Sequence, residues 1–114
     1  MEEKVIPILR VQDATISVAW YNRLGFQQTS IHRFAPGLPA FVEINRGPMK
    51  IFLSEHTGDA RPDTLLYLGV ADVHSIAKEF GVPVEEAPWG LEIEIRDPDM
   101  NRLRIGAPKQ AQGE

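Results

Sequence analysis

The chain of 114 residues contains no cysteine. The absence of thiols excludes a disulfide framework, a cysteine-based metal site and a cysteine nucleophile. Long apolar runs are absent too, whereas a transmembrane helix needs about 20 consecutive apolar residues. Residues 1–4 (MEEK) are mostly charged and do not resemble the start of a signal peptide. We therefore expect a soluble, cytoplasmic protein with no membrane partner.

Positive charge and aromatic side chains are also scarce. Lys and Arg number 12 against 16 Asp and Glu, giving a formal net charge of −4, and aromatic residues make up 8% of the chain. The basic residues are scattered singly, which excludes a nucleic-acid partner because phosphate binding depends on clustered Lys and Arg. The mild excess of carboxylates favours a cationic small ligand over an anionic one.

The spacing of apolar residues predicts the element order βαβββ twice. The first copy has a helix over residues 15–24, started by Asp13 and stopped by Gly25, and strands at residues 5–11, 26–31, 40–45 and 49–54. The second has a helix over residues 73–80, between Asp72 and Gly81, and strands at residues 64–70, 82–86, 91–96 and 102–105. The chain is thus predicted to be one domain, 1–114, with module one at about 4–55, a linker at 56–63, module two at about 64–107 and a polar tail from 108.

Two segments carry a resemblance to a known superfamily. Residues 20–26 (WYNRLGF) resemble the "FY…LGF" signature of the vicinal oxygen chelate superfamily, and residues 96–101 (RDPDMN) resemble its "DPDGN" hairpin. The superfamily includes glyoxalase I, extradiol dioxygenases, fosfomycin-resistance enzymes and bleomycin-resistance proteins. The resemblance implies an α+β fold in which two βαβββ modules form a curved eight-stranded mixed sheet with the helices on its convex side.

The same resemblance implies where a metal site would lie. Matching the motifs position by position places the three metal ligands of the superfamily's enzymes at Ile6, Leu65 and Arg104. Alkyl and guanidinium groups do not bind divalent metals, so we expect no metal, no cofactor and no catalytic residue. The other candidate metal ligands are the three histidines. Their spacing along the chain does not match that of metal ligands on one helix or strand, so they are interpreted as surface residues: His32, His56 and His74.

A closer likeness is to the bleomycin-resistance branch. Residues 6–9 (IPIL), 51–54 (IFLS) and 88–98 (PWGLEIEIRDP) are similar to segments of those proteins. The resemblance implies a homodimer that sequesters flat, cationic glycopeptide drugs in clefts between subunits, without turnover. Two alternatives remain: a metal-dependent lyase or dioxygenase of the superfamily, and a small-molecule-binding accessory protein.

Three aromatic residues are candidates for ligand binding. Trp89 lies in a Pro-Trp-Gly turn, where its ring either stacks on a ligand or caps the core. Phe41 aligns with an aromatic residue of the drug cleft in that branch, or is an ordinary strand core residue. Tyr67 shares a strand face with Leu65, so its side chain is expected to point into the cleft.

Carboxylates on the same predicted strand faces are the last candidates. Glu43 shares a face with Phe41, while Glu92 and Glu94 share a face next to Trp89. Such carboxylates either form a solvated surface or an acidic lip that attracts a cationic group. The predicted ligand-binding set is therefore Phe41, Glu43, Tyr67, Trp89 and Glu92.

Overall fold

The structure is a computed structural model that describes residues 3–108. It contains two helices and eight strands within those residues: β1 (Ile8–Arg10), α1 (Ala14–Arg23), β2 (Gln27–His32), β3 (Phe41–Arg46), β4 (Met49–Ser54), β5 (Leu65–Gly69), α2 (Val73–Phe80), β6 (Glu85–Ala87), β7 (Gly90–Arg96) and β8 (Arg102–Pro108). The element order βαβββ occurs twice, as predicted. The polar tail was predicted from residue 108, but Pro108 ends β8; the rest of the predicted tail lies outside the described residues.

The eight strands form two four-stranded mixed sheets, one for each module. The strand order is β1-β4-β3-β2 in the first sheet and β5-β8-β7-β6 in the second. In each sheet the first strand of the module pairs in parallel with the last, and the other pairs are antiparallel. The predicted α+β class and the two-module architecture are confirmed, and the eight strands divide equally between the two sheets.

The helix boundaries follow from the capping residues that the sequence indicates. Asp13 accepts a hydrogen bond from the backbone N–H of Thr15, and Asp72 accepts from the N–H groups of His74 and Ser75. These bonds satisfy donors that a helix N-terminus otherwise leaves free. At the other end of α2, Gly81 adopts the left-handed conformation, with φ of 67°. Both predicted N-caps are confirmed.

The buried face of α1 differs in part from the predicted one. Apolar spacing predicts Ile16, Ala19, Trp20 and Leu24 on one face, and Trp20 and Tyr21 are interpreted as core. Tyr21 and Leu24 are buried and Trp20 packs against the core, but Ile16 is 57% exposed and Ser17 is fully buried. The polar groups of Ser17 and Tyr21 meet hydrogen-bond partners from module two.

Those partners belong to the β7–β8 turn, at residues 97–101. The buried Asp97 carboxylate accepts from the Tyr21 hydroxyl at 2.8 Å and from the Asn101 side-chain amide at 2.9 Å. Asn101 also donates to the Arg10 carbonyl at 3.2 Å, and the Gln12 N–H donates to the Asp99 carboxylate at 3.0 Å. Burial, followed by the nearby Asp97 charge, raises the Tyr21 pKa above its usual range. The turn therefore joins module two to β1 and α1 of module one.

Met100 occupies the position in this turn where the motif has glycine. Its φ of 69° is left-handed, a region that costs a non-glycine residue about 1 kcal/mol or more. We expect Met100→Gly to raise the free energy of unfolding by about 0.5–1 kcal/mol, measured by urea denaturation. Met100→Ala is the matched control, because it removes the same exposed side chain and keeps the strain. An equal gain in both variants would contradict the backbone explanation.

One cluster of buried side chains spans both modules, and includes Leu53 from β4 and Leu103 from β8. The described chain is nevertheless elongated, with extents of 53 × 35 × 21 Å and a radius of gyration of 15.1 Å. A compact chain of this length would have a radius of gyration of about 13 Å. Neither helix within residues 3–108 is long and apolar enough to cross a membrane.

Candidate functional site

The open face of the second sheet carries most of the predicted site residues. Strand register places Tyr67, Arg104 and Glu94 side by side across β5, β8 and β7. The next level of the same face holds Gly69 on β5, Gly106 on β8 and Glu92 on β7. The opposite face of this sheet is apolar and packs into the core through residues such as Leu103. Alternation along the strands thus separates the core from a polar and aromatic surface.

Tyr67 lies over the bare backbone of Gly106. A methyl group built at Gly106 would overlap the Tyr67 hydroxyl and would lie 3.2 Å from Cγ of Glu92. The Tyr67 side chain is still 52% exposed, so one face of the sheet presents a phenol to solvent. Gly106 therefore provides the space in which the Tyr67 ring is seated.

Glu92 connects the aromatic residues to Arg104. Its carboxylate accepts a hydrogen bond from Nη2 of Arg104 at 2.8 Å and another from the indole N–H of Trp89. The bond from Arg104, followed by that from Trp89, holds the Glu92 pKa below its usual range. The guanidinium carbon of Arg104 lies 5.9 Å from the Tyr67 ring centroid, within cation–π distance. Tyr67, Trp89, Glu92 and Arg104 form one contiguous group, hereafter the module-two group.

A cavity of about 570 Å³ adjoins this group. Its lining combines the Trp89 ring with more carboxylates than cations: Glu85, Glu86, Glu92 and Glu94 face it, with Arg104. Trp89 is 61% exposed, so its ring does not cap the core. The volume lies in the range of small-molecule pockets, and the carboxylates of its lining are the groups with which a cationic occupant would pair.

The other two predicted residues lie on the first sheet. Phe41 is half-buried and its ring contacts that of Phe52, at 5.0 Å between centroids. Glu43 lies on the same face, where it accepts from the Thr29 hydroxyl at 2.9 Å and pairs with Nζ of Lys50 at 3.2 Å. The bonds from Thr29, from the Asn45 amide and from Lys50 hold the Glu43 pKa below its usual range. We call Phe41, Glu43, Lys50 and Phe52 the module-one group.

The structure does not unite the two groups into one site within the described chain. Between them, residues 3–108 contain no hydrogen bond, ion pair or ring contact. They approach each other at a shallow groove of about 210 Å³, to which Lys50 contributes from one module and Tyr67 from the other. The groove also has apolar walls, including Met49 and Leu66.

The three residues that the resemblance matches to the superfamily's metal ligands lie on or beside the sheets. Leu65 lies on the open face, one alternation before Tyr67, and Arg104 is paired with Glu92. Ile6 precedes β1 and is half-buried. No three His, Asp or Glu side chains of residues 3–108 come together as a metal site would require. The donor chemistry at these positions does not fit the superfamily's metal.

Sequence reasoning missed the ion pairing of the open faces. Glu92 and Glu94, the candidates for an acidic lip, are each paired with a cation, and so is Glu43; Glu94 pairs with Arg102 at 2.9 Å. Phe52 was missed as the ring partner of Phe41. These pairs are diagonal across adjacent strands, because the register sets Arg104 opposite Glu94 and Phe41 opposite Ser54. Diagonal neighbours are still within reach of long and aromatic side chains.

The two-module fold is the one that the superfamily resemblance implies, and a sequence comparison agrees with that assignment. A family model described as "Glyoxalase superfamily protein" matches residues 1–113. The chain therefore belongs to the glyoxalase superfamily. Among curated proteins, no sequence matches it.

Solved structures of antibiotic-binding proteins have a similar fold. A bleomycin-binding protein from Streptomyces verticillus, complexed with copper(II)-bleomycin, is 25% identical, with a TM-score of 0.69 over 96% of this chain and 100% of that one. The bleomycin resistance determinant encoded on transposon Tn5 is 20% identical, with a TM-score of 0.71 over 94% and 98%. TnmS3, an antibiotic binding protein from Streptomyces sp. CB03234, is 18% identical, with a TM-score of 0.75 over 96% and 98%.

Proposed function

We propose that the protein binds a flat, cationic antibiotic of the bleomycin type and sequesters it without turnover. The observation that carries the proposal is the exposed Trp89 ring beside a cavity of about 570 Å³ whose lining includes carboxylates, two of them paired with arginines. A flat ring can stack on Trp89, and a stacked aromatic pair contributes about 0.5–1.5 kcal/mol beyond area burial. The carboxylates favour a cationic group on the same ligand.

The proposal of binding without chemistry rests on the donor groups. The resemblance matches Leu65 and Arg104 to positions where the superfamily's enzymes hold a metal, and neither an alkyl nor a guanidinium group binds a divalent metal. The likeness in fold to bleomycin-binding proteins supports the same function. The cytoplasmic location stays a prediction from the sequence.

We further propose that the protein acts as a homodimer with a ligand cleft between subunits. Phe41 and Tyr67 lie on separate sheets of an elongated chain, so a two-fold partner can bring the module-one group of one copy to the module-two group of the other. Two equivalent clefts then form, with one ligand for each chain. Both groups contribute aromatic rings and carboxylates to such a cleft.

The test is a bleomycin titration followed by the fluorescence of Trp89. The protein contains two tryptophans, so Trp20→Phe leaves Trp89 as the single reporter. We expect saturation with a Kd of about 1 μM, or about −8 kcal/mol, at one drug per chain. Tyr67→Ala should weaken binding about tenfold, in line with the loss of one stacked ring. Sedimentation of the same samples should give the mass of two chains.

The controls separate the function from the site assignment. Trp89→Ala, followed by calorimetry since it lacks the reporter, should also bind about tenfold more weakly. Ile16→Ala changes an exposed apolar residue on the opposite side of the sheets and should leave the affinity unchanged. No saturation below about 100 μM would refute the proposed function. Unchanged affinity in both ring variants would instead refute the site, and a monomer at saturation would refute the shared cleft.

A further inference from the structure

The guanidinium of Arg104 lies between the groups that would bind a cationic ligand. Its guanidinium carbon lies 5.9 Å from the Tyr67 ring centroid, and its Nη2 donates to Glu92 at 2.8 Å. An aromatic face and a carboxylate are the two partners that recognise a guanidinium, an amidinium or a substituted ammonium. Arg104 also lines the cavity beside Trp89, where the ring of such a ligand would stack.

We propose that Arg104 is a tethered competitor, whose guanidinium fills the subsite for the cationic group of the ligand. The location of that subsite rests on the proposed function. The ligand class that follows is a flat ring bearing a planar cation, because such a cation can replace the guanidinium at Glu92 while its ring lies against Trp89. A neutral ring compound does not replace the Arg104 guanidinium at Glu92, so its affinity does not rise when Arg104 is displaced or removed.

The closed pair is suited to displacement because it is only partly shielded from water. The side chains of Arg104 and Glu92 are 37% and 13% exposed. Water reaches the Arg104 end of the pair, and the long Arg104 side chain loses freedom when it is fixed, so the pair is weaker than a fully buried one. Arg104 can therefore swing out on its flexible stem while Glu92 keeps the indole bond from Trp89. The ligand's cation then takes the vacated place on Tyr67 and Glu92.

A second ion pair on the same two strands offers a matched control. Arg102 donates to Glu94 at 2.9 Å, one alternation along β8 from Arg104. Among residues 3–108, no aromatic ring is found against the Arg102 guanidinium. Arg102→Gln thus removes the same charge from the same strand and face, without opening the place on Tyr67. This control distinguishes the release of a competing guanidinium from a general loss of positive charge that would repel a cationic ligand.

The experiment compares benzamidine with benzamide, which share a ring and differ in charge. The indole N–H of Trp89 donates to Glu92, so its NMR resonance reports occupation of Glu92, and that of Trp20 is an internal reference. If Arg104 closes the site about nine-tenths of the time, removing it strengthens benzamidine binding about tenfold. We expect that gain in Arg104→Gln, with benzamide unchanged, and no gain in Arg102→Gln.

Several outcomes would overturn the proposal. The first is that Arg104→Gln binds benzamidine no more tightly than the wild type does. The second is that the Trp89 resonance of that variant shows no saturable shift. The third is that Arg102→Gln gains as much benzamidine affinity as Arg104→Gln. Arg104→Met, which keeps the aliphatic stem, should reproduce the gain, and thermal unfolding verifies that each variant is folded. Bleomycin is titrated in parallel. Failure of both wild type and Arg104→Gln to bind it refutes the proposed function, whereas the benzamidine comparison alone decides the role of Arg104.

Discussion

Asp97→Ala is expected to lower the free energy of unfolding by about 3–5 kcal/mol, because buried hydrogen-bond donors lose their acceptor. The carboxylate accepts from the Tyr21 hydroxyl, from the Asp99 N–H at 2.8 Å and from both the backbone and side-chain amides of Asn101 at 2.9 Å. Alanine leaves the Tyr21 hydroxyl and the Asn101 backbone N–H buried without this acceptor, and each such donor costs about 1–3 kcal/mol. Urea denaturation followed by circular dichroism measures the loss.

Tyr21→Phe is the graded control for that prediction. It removes the hydroxyl that bonds to Asp97 at 2.8 Å and keeps the buried ring, so a loss of about 1–2 kcal/mol is expected. The two losses should not add in the double variant, since both act on one network. A loss below about 1 kcal/mol in Asp97→Ala would contradict the importance of this junction between the modules.

Leu53→Ala and Leu103→Ala are expected to destabilise the protein by about 2–5 kcal/mol each, through lost apolar contacts and a cavity. Both leucines are fully buried, and each lies on a strand inside its sheet, β4 in module one and β8 in module two. We propose that the two modules unfold as one domain, because one core cluster and the turn at Asp97 connect them. Both substitutions should therefore lower the same transition.

The two tryptophans allow each module to be followed separately. Fluorine-labelled Trp20 reports on module one and labelled Trp89 reports on module two. Coincident urea midpoints for both labels are expected in the wild type and in each leucine variant. An exposed substitution on the same scaffold, His74→Ala, should leave the midpoints unchanged. Separate midpoints, with each leucine affecting its own module alone, would contradict a single cooperative domain.

Local signals in the sequence were sufficient for the order of elements. Asp72 and Gly81 mark the ends of α2 because an N-cap carboxylate and a left-handed glycine act on adjacent backbone groups. The face of α1 was found only in part in this way, since Tyr21 is buried as predicted but Ile16 is exposed and Ser17 is buried. Ser17 meets the Asp99 carboxylate of a distant turn, and that proximity exists only in the folded chain.

The candidate site was predicted residue by residue but not as an arrangement. Alternation along β5 placed Tyr67 on the open face, and its exposure agrees with that placement. The pairing of Glu92 with Arg104 depends on which strands are neighbours and in what register, and neither is encoded locally. Counting carboxylates in the sequence therefore overestimated the negative charge that this face of the sheet leaves unpaired.

The bare backbone under Tyr67 gives this surface a simple route for changing its ligand. At Gly106 the backbone needs no left-handed conformation, so alanine fits the strand, and only the flexible end of Tyr67 and one methylene of Glu92 must yield. Adding a single carbon atom there would reposition the phenol and, with it, the place that Arg104 occupies. The core side chains on the opposite face of β8, such as Leu103, would keep their contacts. Recognition on this sheet can thus evolve by one small substitution, independently of the stability of the fold.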